Sequence, residues 1–177
     1  MRHIKNLLIF AALFFSFTLS AQLSYDAWEK VETTDDFGDK TGDSVLRTFS
    51  EGTFSNSATA GSELIVKVSD YGDSAFMTLY EYGSTPARLS LKSAFGKIKV
   101  KLPNGEVVSF NTFSPKSGGL LFSKDDYTEL FKYLKDGTGG VLKFVINESA
   151  FSDYGSAKYS FSLTSMTAKE KTDYGVE

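Results

Sequence analysis

Apolar and polar residues alternate along most of this chain. Leu64, Val66 and Val68 are spaced by Ile65 and Lys67, and Leu89 and Leu91 by Ser90. Ile98, Val100 and Leu102 are spaced by Lys99 and Lys101, and Tyr159, Phe161 and Leu163 by Ser160 and Ser162. Successive side chains of a strand point to opposite faces, so period two predicts half-buried strands. The run Val141-Leu-Lys-Phe-Val-Ile146 is more apolar and predicts a central strand. Turn formers separate the runs: Tyr71-Gly72-Asp73, Gly83-Ser84-Thr85-Pro86, Pro103-Asn104-Gly105 and Gly137-Thr138-Gly139-Gly140. Asn104-Gly105 accepts the positive φ of a tight hairpin. Strands joined by short turns predict an all-β fold, a single antiparallel β-sandwich of about eight strands over residues 22–166.

One segment departs from this period. Tyr127, Leu130, Phe131 and Leu134 recur at helical spacing. Ser123 is placed to cap them, Asp125 and Asp126 fall in the first turn, and Lys132 and Lys135 sit near the end before Gly137. The pattern predicts an amphipathic helix over 124–135, laid across one opening of the sandwich. The polar tail 167–177 is expected to be loose. Asp-Tyr-Gly occurs at 70–72, 153–155 and 173–175. Reused turn chemistry explains it, with Asp opening a turn and Gly closing it; a repeated ligand-binding tip using Tyr71 and Tyr154 is the rival explanation.

The N-terminus sets the compartment. Arg2 and Lys5 precede the uncharged run Leu7–Leu19, and Ser20-Ala21 stands before polar sequence from Gln22. This order predicts a secretory signal peptide over 1–21, its apolar run shorter than a membrane span needs; an uncleaved N-terminal anchor is the alternative. The predicted product is exported, periplasmic or extracellular, with no span left after cleavage. Roughly 155 residues then remain, enough for one core. Losing Arg2 and Lys5 deepens the net charge of −3 by two units. An acidic balance argues against nucleic acid and anionic membranes as partners.

Composition narrows the chemistry further. The chain has no cysteine, and its one histidine, His3, lies in the leader. Thiol nucleophiles, disulfides, Ser-His-Asp triads and Cys/His zinc sites are excluded from the product. The acidic stretch carrying Asp35, Asp36, Asp39 and Asp43 offers oxygen ligands for Ca²⁺, but lacks EF-hand spacing and holds Lys40 in its middle. An exposed turn-rich loop is the plainer reading, and no cofactor is expected. Ser90/Lys92, Ser114/Lys116 and Ser156/Lys158 share strand faces, but their lysines oppose apolar positions and should face water. Lys97, Lys99 and Lys101 form a ladder expected on the wet side of a strand, where it would discourage edge pairing. Aromatic residues are the remaining resource. Phe76, Phe144 and Phe161 are expected in the core. Trp28, Tyr80 and Tyr82 are the candidate partner contacts, with the core as the alternative for each.

The stretch from Trp28 to Val68 contains DDFGDKTG and EGTFSNSATAGSELIVKV. It resembles a group of small exported bacterial proteins that share a tryptophan near the mature N-terminus, an F-G-D-x-T-G loop and a G-T-F-S-N-S-A-T block. More loosely, the layout is similar to invasion-associated locus B-type envelope proteins. The resemblance implies a β-sandwich with an interaction role, and carries no site residues. The block Gly52–Thr59 fits either a close backbone approach to a partner or a tight corner between strands, with Asn56 bonding locally. The expectation is therefore a non-catalytic binding or envelope-interaction protein, its partner an envelope protein or a glycan. The alternative is a hydrolase working with carboxylates alone, acting for example on glycans.

Overall fold

The computed structural model describes residues 25–87, 95–114, 119–150 and 156–176. The expected signal peptide 1–21, the Leu89/Leu91 alternation, the Ser90/Lys92 pair, Lys116 and Tyr154 lie outside these residues. In chain order the elements are β1 (Trp28–Thr34), β2 (Lys40–Ser55), β3 (Ser62–Asp70), β4 (Ala75–Glu81), β5 (Thr85–Pro86), β6 (Phe95–Lys101), β7 (Val107–Phe113) and β8 (Gly119–Phe122). Then follow α1 (Lys124–Leu134), β9 (Val141–Asn147), a 3₁₀ turn (Glu148–Ala150), β10 (Lys158–Thr164) and α2 (Ala168–Tyr174).

The strands pair in the order β2-β10-β9-β6-β7-β8-β4-β3, and β3 pairs back onto β2. Eight antiparallel strands thus close on themselves, and the expected sandwich is corrected to a barrel. The all-β class stands. Alternation records only that one face of each strand is dry; a sandwich and a barrel satisfy it equally. An eight-stranded barrel is just wide enough for its inward side chains to fill it. Leu64, Val66, Met77, Leu79, Ile98, Val100, Leu142, Phe144, Ile146, Tyr159 and Leu163 are at most 1% exposed and do so here. The Phe144 and Phe161 rings stack at 4.9 Å.

Closure depends on β2, a strand of 16 residues. One edge takes β1 and then β10; the other takes β3 from Leu46 to Phe54. Three successive inward positions are small, Thr48, Ser50 and Gly52, before the large buried Phe54. A Cβ on Gly52 would lie 2.4 Å from the Ser160 carbonyl oxygen and 2.6 Å from Phe161 Cβ. The backbones of β2 and β10 approach this closely only because the side chain is missing. Just beyond, Asn56 Oδ1 accepts from the Ala58 and Thr59 amides at 2.8 and 3.0 Å. The Gly52–Thr59 block is thus a tight strand corner that closes on its own backbone.

The predicted helix is present as α1. Ser123 caps it by accepting from Asp126 N, and Tyr127, Leu130, Phe131 and Leu134 are its buried face. It plugs the barrel end formed by the close of β3 and the start of β4. Trp28 sits beside it, 2% exposed, with its ring edge-on to Phe131 at 6.4 Å and Nε1 donating to the Thr164 carbonyl at 2.9 Å. Trp28 is therefore a core anchor and presents no contact surface.

Three further expectations change. The tail over 168–174 is a helix, α2, with a Thr167/Glu170 capping box and Gly175 as its left-handed C-cap. It is tied to β1: Trp28 N donates to Glu170 Oε1 at 3.2 Å, and Tyr174 OH donates to the Trp28 carbonyl at 2.6 Å. Lys97, Lys99 and Lys101 do face water, but β6 lies inside a closed ring between β7 and β9, so they guard no edge. Phe76 faces outward and lies over Gly119, on whose missing side chain its ring depends.

Candidate functional site

The helix-capped end brings together the polar groups that the sequence scatters. Asp70, the last residue of β3, is 2% exposed. Its Oδ1 accepts from Tyr127 OH at 2.8 Å and from Gly72 N at 2.9 Å, and Oδ2 pairs with Lys135 Nζ at 2.6 Å. Tyr127 OH lies also 2.9 Å from the Gly72 carbonyl. Burial, then the hydrogen bond and charge of Asp70, push the Tyr127 phenol far above its usual range. Tyr127 therefore stays protonated and acts as a donor. The Lys135 ammonium lies 5.2 Å from the centre of the Phe131 ring. Turn chemistry explains Asp70 only in part: it holds its own turn through Gly72 and also pins α1 to the barrel.

Above this network is an open groove of about 510 Å³, lined by Gly72, Tyr127, Thr128, Phe131, Lys132, Lys135, Asp136 and Lys171. Its floor is aromatic and its rim carries lysines from α1, the α1–β9 connection and α2. Lys132 pairs with Glu129 at 2.7 Å in water. Asp136 is turned into its own loop, accepting from Thr138 N at 2.9 Å and from Ser165 Oγ at 2.9 Å.

Beside the groove stands a two-stranded arm. β3 pairs with β2 only from Leu46 onward, so residues 31–45 continue past the barrel with β1 and β2 paired to each other alone. Residues 34–44 are exposed without a break. The arm projects roughly 15 Å at strand rise. Its tip is a defined turn: Asp35 Oδ1 accepts from the Phe37 and Asp39 amides, each at 2.9 Å, and Gly38 N donates to the Asp35 carbonyl at 3.0 Å. Phe37 is 92% exposed at this tip. Asp35, Asp36, Asp39 and Asp43 are spread along the ribbon, and Glu32 pairs with Lys40 across it. Among the described residues no three His, Cys, Asp or Glu side chains converge as a metal-holding group.

The opposite end carries the aromatic candidates. Tyr80 is half-buried on the outer face of β4 with Phe76 and Thr78. Tyr82 follows the strand in a left-handed turn with Gly83 (φ 53° and 74°), is 56% exposed, and meets Phe54 edge-on at 5.0 Å. A left-handed tyrosine is a rare and costly conformation. Beneath it Tyr159 OH donates to Glu81 Oε1 at 2.8 Å, and burial, then Glu81, raise the phenol far above its usual range. Tyr80 and Tyr82 thus lie on different surfaces: the turn at Tyr82 swings its ring toward the barrel mouth.

No protein-family model matches the chain, nor does any curated protein or solved structure.

Two features were hidden in the sequence. Phe37 was visible only as part of an acidic loop; an aromatic between four aspartates and two glycines was the available signal. The Asp70–Lys135 pair spans 65 positions of sequence and left no pattern.

Three carboxylates stitch the helical elements to the barrel, and they set a pH dependence. Burial raises each, but hydrogen bonds outweigh it and hold all three below the ordinary carboxylate range. For Asp126 the donors are Ser123 and Asn111, for Asp136 Thr138 and Ser165, and for Glu170 Thr167 and Trp28. The native pKa lies below the unfolded one, so the unfolded chain binds protons first as pH falls. Their stabilisation is complete above the ordinary range, about pH 4–4.5, and is lost as pH drops through the depressed values. Urea midpoints measured from about pH 6 to 2.5 should therefore fall on the acid side. Glu170→Gln, which loses the charge-assisted bonds of the α2 cap, should flatten part of that fall.

Proposed function

We infer that this protein is an exported, non-catalytic binding module of the cell envelope, and that the β1–β2 arm is its contact element. The observation that carries the reading is Phe37, 92% exposed at the tip of a ribbon held in shape by its own turn. A two-stranded ribbon without a dry face is marginal by itself. An apolar ring kept in water at its end contributes nothing to the fold, and an aromatic anchor is what a partner's pocket would take.

The chemistry of the enclosed carboxylates supports binding over hydrolysis. Asp70 is engaged by Tyr127, Gly72 and Lys135. Glu148, 7% exposed, accepts from Ala157 N at 3.1 Å. Both serve as structural acceptors. No described helix is long and apolar enough to cross a membrane.

A photo-crosslinking amino acid placed at position 37 in expressing cells tests the reading. The expected result is a discrete protein or glycan adduct, with none from the same probe at Val107, which is also exposed. Absence of any adduct at 37, or release of reducing sugar from envelope glycan by the purified protein, would overturn it.

A further inference from the structure

The arm carries an excess of acid and the groove a rim of three lysines, and both belong to the same end of the barrel. We propose that the arm tip of one copy of this chain docks in the groove of a second copy, reciprocally, giving a two-fold dimer. The proposal rests on the reading of the arm as the contact element, and names its partner.

The tip presents one apolar ring, Phe37, on a ribbon that carries Asp35, Asp36, Asp39 and Asp43 along its length against one cation, Lys40, which pairs with Glu32. The groove presents the opposite: an aromatic floor, Tyr127 and Phe131, beneath Lys132, Lys135 and Lys171. Its volume of about 510 Å³ exceeds what one phenylalanine side chain needs. Acidic groups also border it. Asp70 lies under Lys135, Asp136 is occupied by Thr138 and Ser165, and Glu129 pairs with Lys132. The Glu129 pair is exposed, so exchanging it for an incoming aspartate costs little. An apolar anchor seated in a partner's pocket is what a binding hot spot requires, and the knob and the hole are both present here.

Position decides between a dimer and a chain of copies. Asp70, at the groove, is the β-partner of Leu46, where the arm leaves the barrel. Because knob and hole are neighbours at one end, two copies facing each other can seat both arms at once. That is an isologous contact, which closes. A knob and a hole at opposite ends would instead propagate.

Sedimentation equilibrium of the purified protein tests this. A monomer–dimer equilibrium is expected, weakened as salt screens the aspartate–lysine contacts. Phe37→Ser, and separately the double variant Lys132→Glu/Lys171→Glu, should each raise the dissociation constant at least ten-fold. All three residues are solvent-facing or rim groups, and unchanged melting temperatures should verify that the variants fold. Mixing the two variants should recover a heterodimer, since one intact arm then meets one intact groove. A monomer at all concentrations, a dimer indifferent to both variants, or open polymers would overturn the proposal. If the protein is monomeric while position 37 still crosslinks to a different envelope component, only the proposed partner fails. If both measurements are negative, the contact role of the arm fails with it.

Discussion

Asp70→Ala is expected to lower the unfolding free energy by about 3–5 kcal/mol, the usual cost of removing one partner from a buried ion pair. The mechanism is specific. Asp70 is the hub on which Tyr127 and Lys135, both from the helical plug, converge with the Gly72 amide. Without it the Lys135 ammonium, whose side chain is 20% exposed, loses its counter-charge. Tyr127 OH keeps only the Gly72 carbonyl. In a domain of this size each 1 kcal/mol moves the melting temperature by about 2–4 °C, so a drop of about 10 °C is expected in calorimetry. Lys135→Met should cost less, because the Asp70 carboxylate retains its donors Tyr127 and Gly72. A loss under 1 kcal/mol for Asp70→Ala would mean that α1 is held by its apolar face alone.

Gly52→Ala is expected to be the most damaging one-atom change in the barrel wall, costing about 3 kcal/mol, the upper part of the overpacking range. The added Cβ meets a backbone carbonyl oxygen at 2.4 Å and Phe161 Cβ at 2.6 Å. Neither can swing aside, so β2 and β10 must part where the ring closes. Gly119→Ala is the control. Its Cβ would meet the Phe76 ring even more closely, at 2.0 Å, but that ring is the far end of an outward side chain and can rotate away. Denaturant melts of the two variants should therefore differ, with Gly52→Ala much the weaker protein. Equal losses would show that closeness alone, and not backbone rigidity, decides the cost.

Local physics was readable residue by residue. The β6–β7 hairpin forms where Pro103-Asn104-Gly105 predicts it, with Gly105 at φ 91° and Leu102 N bonded to the Glu106 carbonyl at 2.8 Å. The helix of residues 124–134 begins at Ser123 because its hydroxyl satisfies a first-turn amide, and the 3.6-residue stripe faces the core. In β9 and β10, Leu142, Phe144, Ile146, Tyr159, Phe161 and Leu163 point inward as their alternation requires. The short α2 helix carries no apolar stripe and buries no residue, so its sequence reads as a loose tail. Its capping box, Thr167 with Glu170, was present in the sequence all the same, and its anchor to Trp28 lies more than a hundred residues away.

The sequence by itself determined the strands, their turns, the capped helix, and a chain without cysteine whose one histidine is His3. These follow from interactions between residues a few positions apart: pleat, helical pitch, turn geometry and capping. Tertiary structure alone decided that the sheet closes into a barrel, since closure is a pairing of β2 with β3 and β10 that alternation does not encode. It alone placed Asp70 under Lys135, and it alone showed that the acidic loop is the tip of an arm with Phe37 in water. Burial and ion pairing depend on which distant segments meet, and that is settled only when the whole chain has packed.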